Sequence, residues 1–255
     1  MQQQRPDEFF AEIRSSARTL ADIVRTQDPD LPIATCPDWS LRELAAHVGR
    51  VHRWAAETVT TRAAQRIPFD AVPDSQYPHE WAAQPAWLTG GADRLIAAIA
   101  EAGSAEVWAF GRMAPATFWA RRQAHETMVH RVDAELAAGR ATVLDPALAA
   151  DAIDEWLWLL RGPRRPPLDA APLTADAVLQ MHAADDGCDP RGWLVSVAPD
   201  GITVRDGHGP AGVTVAGPAG RLLLVLVRRL PPEGGNVLVT GDPELLAGFL
   251  ASTPF

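Results

Sequence analysis

Glu126-Thr127-Met128-Val129-His130 lies inside a stretch, Ala116 to Ala138, that reads as one helix ending at Gly139. Its carboxylate and imidazole are four residues apart, so they sit one above the other on a helix face and address one point in space. A third donor, His47, falls on a separate predicted helix. Donors on separate helices meet when those helices face one another, as they do in a bundle. Two imidazoles and one carboxylate leave coordination positions open, which is the catalytic rather than the structural arrangement for zinc.

The sequence on either side of His130 supports a bundle. From Asp7 to Thr26, the residues Phe9, Phe10, Ile13, Ala17, Leu20, Ile23 and Val24 recur at helical spacing. Ser40 stands three residues before Glu43, a capping box that opens a second helix through Leu44, His47, Val48, Val51 and Trp54. A third helix is predicted from Pro85 to Ala102. Between the second and third, Thr61 to Gln84 forms a long connection with Pro68, Pro73, Pro78 and Trp81, long enough to shape a pocket.

Beyond the fourth helix the character changes. Pro146 to Leu160 predicts one more helix, with proline in its first turn, and Arg161-Gly162-Pro163-Arg164-Arg165-Pro166-Pro167 stops it. Trp193 to Val197 and Gly201 to Arg205 read as strands around the turn Ala198-Pro199-Asp200. Val213 to Val215 and Asn236 to Thr240 add two strands, and Pro218 to Arg229 and Asp242 to Ala251 add two helices. The fold class expected is α+β: a helical bundle over residues 1–144, then a small α+β domain over 145–255 with its leading helix.

Composition narrows the partners. With 23 basic against 32 acidic residues and a net charge of −9, the chain carries no electrostatic footprint for nucleic acid or an anionic membrane. No apolar run reaches the ~20 residues of a membrane span, and Met1-Gln2-Gln3-Gln4-Arg5 has no signal-peptide character, so a cytoplasmic protein with a small-molecule partner is expected. Cys36 and Cys188 have no metal-type spacing. Every basic residue is arginine, which excludes Schiff-base chemistry on a lysine amine.

Two stretches carry a resemblance. Cys36-Pro37-Asp38-Trp39-Ser40-Leu41-Arg42-Glu43-Leu44-Ala45-Ala46-His47-Val48 and Ala124-His125-Glu126-Thr127-Met128-Val129-His130-Arg131-Val132-Asp133-Ala134-Glu135 resemble the mycothiol-dependent maleylpyruvate isomerase family. The stretch Gly212 to Leu250, with Gly241-Asp242-Pro243, is similar to the family's C-terminal domain. The resemblance implies a DinB-like four-helix bundle, a divalent metal on His47, Glu126 and His130, and mycothiol or a similar thiol as cosubstrate. It leaves the reaction open, because the family includes isomerases and thiol transferases.

Each residue also has a plainer reading. His47 in an apolar helix reads equally as a satisfied core histidine, and Glu126 with His130 as an ordinary i,i+4 pair. The apolar neighbours Phe118, Trp119, Met128 and Val129 favour a buried pair, and a buried carboxylate needs a partner or a metal. His125 points about 100° away from Glu126 and is read as structural, and His52 as surface or supporting. Asp133 is placed to orient His130. Arg131 is assigned an ion pair and Cys36 a structural thiol. Arg228 and Arg229 are the catalytic candidates of the second domain, reaching a substrate carboxylate across a cleft, although capping of their own helix explains them too. Trp54, Trp108 and Trp119 are candidates to line an apolar pocket, which suggests a substrate larger than maleylpyruvate.

The leading function is a metal-dependent enzyme, zinc being favoured over nickel, manganese or iron, that activates a thiol for attack on an electrophile, as isomerase or S-transferase. A hydrolase or lyase using bound water and a non-catalytic metal- or ligand-binding module are the alternatives. Monomer and homodimer are both compatible with the sequence.

Overall fold

The computed structural model describes residues 6–161, 177–185, 188, 190–198, 201–234 and 236–253. The predicted helix stop at 162–167 and the tip of the predicted turn at 199–200 lie outside the described residues. The chain divides into two compact units, Met1–Thr142 and Val143–Phe255.

In the first unit, four helices of the described residues pack as a bundle: α1 (Pro6–Thr26), α2 (Leu41–Thr60), α3 (Gln84–Ala102) and α4 (Thr117–Ala137). The apolar stripe of α1 is buried at Phe9, Ile13, Ala17, Leu20 and Val24. Burial of each large aliphatic side chain contributes about 1.5–3 kcal/mol. At the start of α2 the capping box forms: the Glu43 carboxylate accepts from the Ser40 backbone N–H at 2.8 Å and from its hydroxyl. Helix α4 stops at Gly139, whose φ of 66° continues the chain in the left-handed region open to glycine.

Between α3 and α4 stands an antiparallel hairpin that the sequence reading missed, β1 (Glu106–Ala109) and β2 (Arg112–Pro115). Its turn residues Phe110 and Gly111 both have positive φ, at 49° and 90°, as a two-residue type I′ turn requires. The Trp108 N–H donates to the Ala63 carbonyl at 2.7 Å, which ties the hairpin to the connection after α2.

The second unit opens with α5 (Pro146–Leu159), capped by the Asp145 carboxylate, which accepts from the Leu148 N–H at 2.9 Å. Its sheet has the order β5-β4-β3-β6-β7, built from β3 (Ala177–Ala183), β4 (Arg191–Ala198), β5 (Gly201–Asp206), β6 (Val213–Gly217) and β7 (Leu238–Gly241). Strands β3 and β6 are parallel and the other pairs antiparallel. Helices α6 (Ala219–Leu226) and α7 (Pro243–Ser252) complete the unit. Gly241 turns the chain at φ 96°, where a Cβ would lie 2.2 Å from the Gly212 carbonyl oxygen, so the path from β7 into α7 requires glycine. Among the described residues no helix is long and apolar enough to cross a membrane.

Candidate metal centre

Helix α2 brings His47, and helix α4 brings Glu126 and His130, to one point in the first unit. His47 Nε2 lies 3.3 Å from Glu126 Oε1, and His130 Nε2 lies 3.8 Å from that same oxygen. The donor atoms of all three residues lie within 4.8 Å of one another. Ligands around a tetrahedral zinc at ~2.0–2.2 Å stand roughly 3.3 Å apart, so the set fits such an ion with small adjustments.

Each donor is held by a neighbour. Glu126 Oε2 accepts from the Arg122 guanidinium one helical turn earlier, which leaves Oε1 to face the imidazoles. Burial pushes the Glu126 carboxyl up, but Arg122, the hydrogen bond with His47 and the field of His130 together hold it well below the usual carboxylate range. It is therefore an anion, the form that binds a metal. Arg122 was absent from the sequence reading, and its signal was the i,i+4 spacing to Glu126.

His130 Nδ1 donates to Asp133 Oδ2 at 2.9 Å, which fixes the tautomer and turns Nε2 toward Glu126. Asp133 is fully buried. Its other oxygen accepts from the Thr35 hydroxyl at 2.6 Å, and the Cys36 thiol lies 3.4 Å from Oδ2. The indole of Trp39 lies against both imidazoles, with ring centroids 4.8 Å from His47 and 6.0 Å from His130.

Cys36, His130 and Asp133 form a second cluster with metal-binding side chains. The 2.9 Å between His130 Nδ1 and Asp133 is a hydrogen bond and leaves no room for an ion, and both Asp133 oxygens are engaged. The set with an open side is His47, Glu126 and His130. His47 lines a cavity of about 360 Å³.

The other histidines stand apart from the donor set. His125 is buried on another side of α4 with its ring edge-on to Phe9, 5.9 Å between centroids. His52 is buried, and its Nε2 is 2.8 Å from the Thr127 hydroxyl. That hydroxyl gives its proton to the Gln123 carbonyl at 2.6 Å, so His52 Nε2–H is the donor and Nδ1 is a bare acceptor with no partner among the described residues. Burial first, and Arg53 next, push this imidazole down to about 3. An unfolded histidine takes up its proton near pH 6.5. Below that value the unfolded chain binds a proton the folded chain refuses, so stability falls as pH drops from about 6.5 toward 3. A His52→Gln variant, which keeps an N–H near Thr127, should show a shallower loss of unfolding free energy between roughly pH 6 and pH 4 in urea titrations. Parallel slopes for the two proteins would remove His52 from this role.

The three tryptophans proposed to line a pocket form core instead. Trp54, Trp108 and Trp119 are buried, and the Trp54 ring is edge-on to both others at 5.1 and 5.8 Å. Two of the three indole N–H groups are spent on backbone: Trp54 donates to the Ile67 carbonyl at 2.7 Å and Trp119 to the Trp108 carbonyl at 3.0 Å. Arg131 pairs with Glu135 at 2.9 Å. In the second unit, Arg228 is exposed with φ 59° just past α6. Arg229 is buried and donates to the Val227 carbonyl at 2.8 Å, a contact of the helix-capping kind.

Residues 9–135 match the family described as the mycothiol maleylpyruvate isomerase N-terminal domain. Among solved structures, the chain is similar to a crystal structure of the mycothiol-dependent maleylpyruvate isomerase, with a TM-score of 0.60, 16% identity, and coverage of 93% of this chain and 94% of that one. It is similar to a histidine-to-alanine variant of the mycothiol-dependent maleylpyruvate isomerase at a TM-score of 0.59 and 15% identity, with the same coverage. At these identities the likeness is one of fold. None of the curated proteins matches the chain.

Proposed function

Since the chain belongs to the mycothiol-dependent maleylpyruvate isomerase family, we propose that it is a divalent-metal-dependent enzyme that uses a low-molecular-weight thiol on an electrophilic small molecule. The observation that carries this reading is the convergence of His47 Nε2, His130 Nε2 and Glu126 Oε1 beside an open cavity. A bound ion, zinc being the first choice for two imidazoles and a carboxylate, supplies the Lewis acidity that keeps a thiol as thiolate near neutral pH. The chain's own residues prepare the site. Arg122 keeps Glu126 ionised and limits it to one free oxygen, Asp133 aims the His130 lone pair, and Trp39 shields both imidazoles on one side. The reaction class is cis–trans isomerisation of a conjugated electrophile or transfer of the thiol to it. Arg228 and Arg229 stay as candidates for a substrate carboxylate, with Arg229 the weaker because its guanidinium already binds backbone.

The test is turnover of maleylpyruvate by zinc-loaded protein with and without mycothiol. Thiol-dependent turnover supports the reading. Turnover of equal rate without thiol would replace it with a reaction in which water is the nucleophile.

A further inference from the structure

The cavity beside His47 is built for more than a small aliphatic molecule. At about 360 Å³ it falls within the range of small-molecule sites, which starts near ~300 Å³. Its floor is one stripe of α2, with Arg42 and Arg50 eight residues apart, about 12 Å along the helix, and His47 between them. Its walls are aromatic: Trp39 from the segment entering α2, and Phe69 and Tyr77 from the long connection after it.

The charges on this stripe do not cancel. Neither Arg42 nor Arg50 has a carboxylate within ion-pair distance among the described residues. Glu43, the acidic residue of the same lining, feels the field of Arg42 but is turned back to Ser40 at the helix start. The Arg50 guanidinium lies over the Phe69 ring at 5.7 Å, and Arg42 over Trp81 at 5.3 Å. Aromatic faces hold both cations at the cavity without neutralising them. A planar apolar body would stack on the walls, and an anionic group would meet the guanidiniums with charge-assisted hydrogen bonds.

We propose that this cavity binds an aromatic or conjugated carboxylate, its planar body against Trp39, Phe69 and Tyr77 and its charge on Arg42 and Arg50. The proposal rests on the reading of His47 as the wall of a thiol-dependent active site, and it gives that site a substrate class. The residues that recognise it here lie on α2, the segment entering it and the 61–83 connection.

The experiment is calorimetric binding of trans-cinnamate to the full chain, with cinnamamide as the uncharged isostere and fumarate as the aliphatic dianion. Zinc stoichiometry is measured on the same samples. Cinnamate should bind one per chain, at least about tenfold tighter than cinnamamide and tighter than fumarate. The Arg42→Gln/Arg50→Gln variant should lose about tenfold or more for cinnamate and nothing for cinnamamide. Phe69→Leu should weaken both aromatic probes. Equal cinnamate affinity in the arginine variant, or tighter binding of fumarate, would overturn the proposal. Zinc at one per chain without cinnamate binding sinks this proposal and leaves the metal reading standing; cinnamate binding with no zinc uptake does the reverse.

Discussion

Glu126→Ala should empty the site of metal and lower thiol-dependent turnover at least about a thousandfold, equivalent to roughly 4 kcal/mol of transition-state stabilisation. Glu126 is the only anion of the donor set, and its Oε1 is the atom both imidazoles approach. Without it a divalent ion faces two neutral nitrogens and, one turn away, the Arg122 guanidinium that Glu126 had neutralised. The loss therefore has two parts, a missing ligand and an uncompensated cation. Glu126→Gln, similar in size but uncharged, should lose nearly as much, whereas a purely packing role would be largely restored by it. Metal content by mass spectrometry and turnover on the same preparations check both. Metal near one per chain in Glu126→Ala would sink the assignment. If that metal vanished in Cys36→Ser, the second cluster of Cys36, His130 and Asp133 would be the true site.

That His47, Glu126 and His130 come together in the candidate site was legible in the sequence because a helix converts spacing into direction. Glu126 and His130 share a face whatever surrounds them, and the capping box at Ser40 fixes where α2 begins and so where His47 lies along it. Helix ends were legible for the same local reasons, with proline in the first turns of α5 and α7 and Gly139 after α4. What the sequence hid is tertiary. The hairpin β1–β2 has strands of four residues and one two-residue turn, too short for any alternation to register. Strand β3 sits in the middle of its sheet, and its alternation of buried Ala177, Leu179, Met181 and Ala183 with half-buried Val178 and His182 is broken by the buried polar Gln180. Its buried Gln180 donates to the neighbouring Met181 carbonyl at 2.7 Å, but its other partners lie far along the chain, the Trp193 carbonyl at 3.3 Å and the Gly209 N–H at 3.1 Å. The tryptophans misled for a related reason. Composition counts aromatic rings but does not say that Trp54, Trp108 and Trp119 turn toward one another, nor that Phe69 and Tyr77, from an irregular connection, line the cavity instead.

Asp133 is where the segment before α2 and the donors on α4 become one structure, and Asp133→Ala should be the most damaging change outside the ligands themselves. Three groups turn to this carboxylate: the Thr35 hydroxyl at 2.6 Å, the His130 imidazole at 2.9 Å and the Cys36 thiol at 3.4 Å. Alanine would leave all three without that acceptor, His130 in a buried place and Thr35 and Cys36 in half-buried ones. A buried polar group left unpaired costs about 1–3 kcal/mol, which applies in full to His130 and in part to the half-buried Thr35 and Cys36, so a loss of roughly 2–4 kcal/mol is expected in urea unfolding of the metal-free protein. The second effect is on the metal. With its Nδ1 partner gone, His130 is free to change tautomer and ring orientation, and affinity should fall about 10–100-fold, in line with loss of a carboxylate behind a metal-bound imidazole. The two effects separate in Asp133→Asn. Its remaining carbonyl oxygen can still accept from Thr35, but its amide then faces the His130 N–H with a donor of its own. Stability should recover in part while metal affinity stays low. Recovery of both in Asp133→Asn would mean that Asp133 acts through packing alone. Full metal affinity in Asp133→Ala would mean that Trp39 and the helix backbone suffice to aim His130.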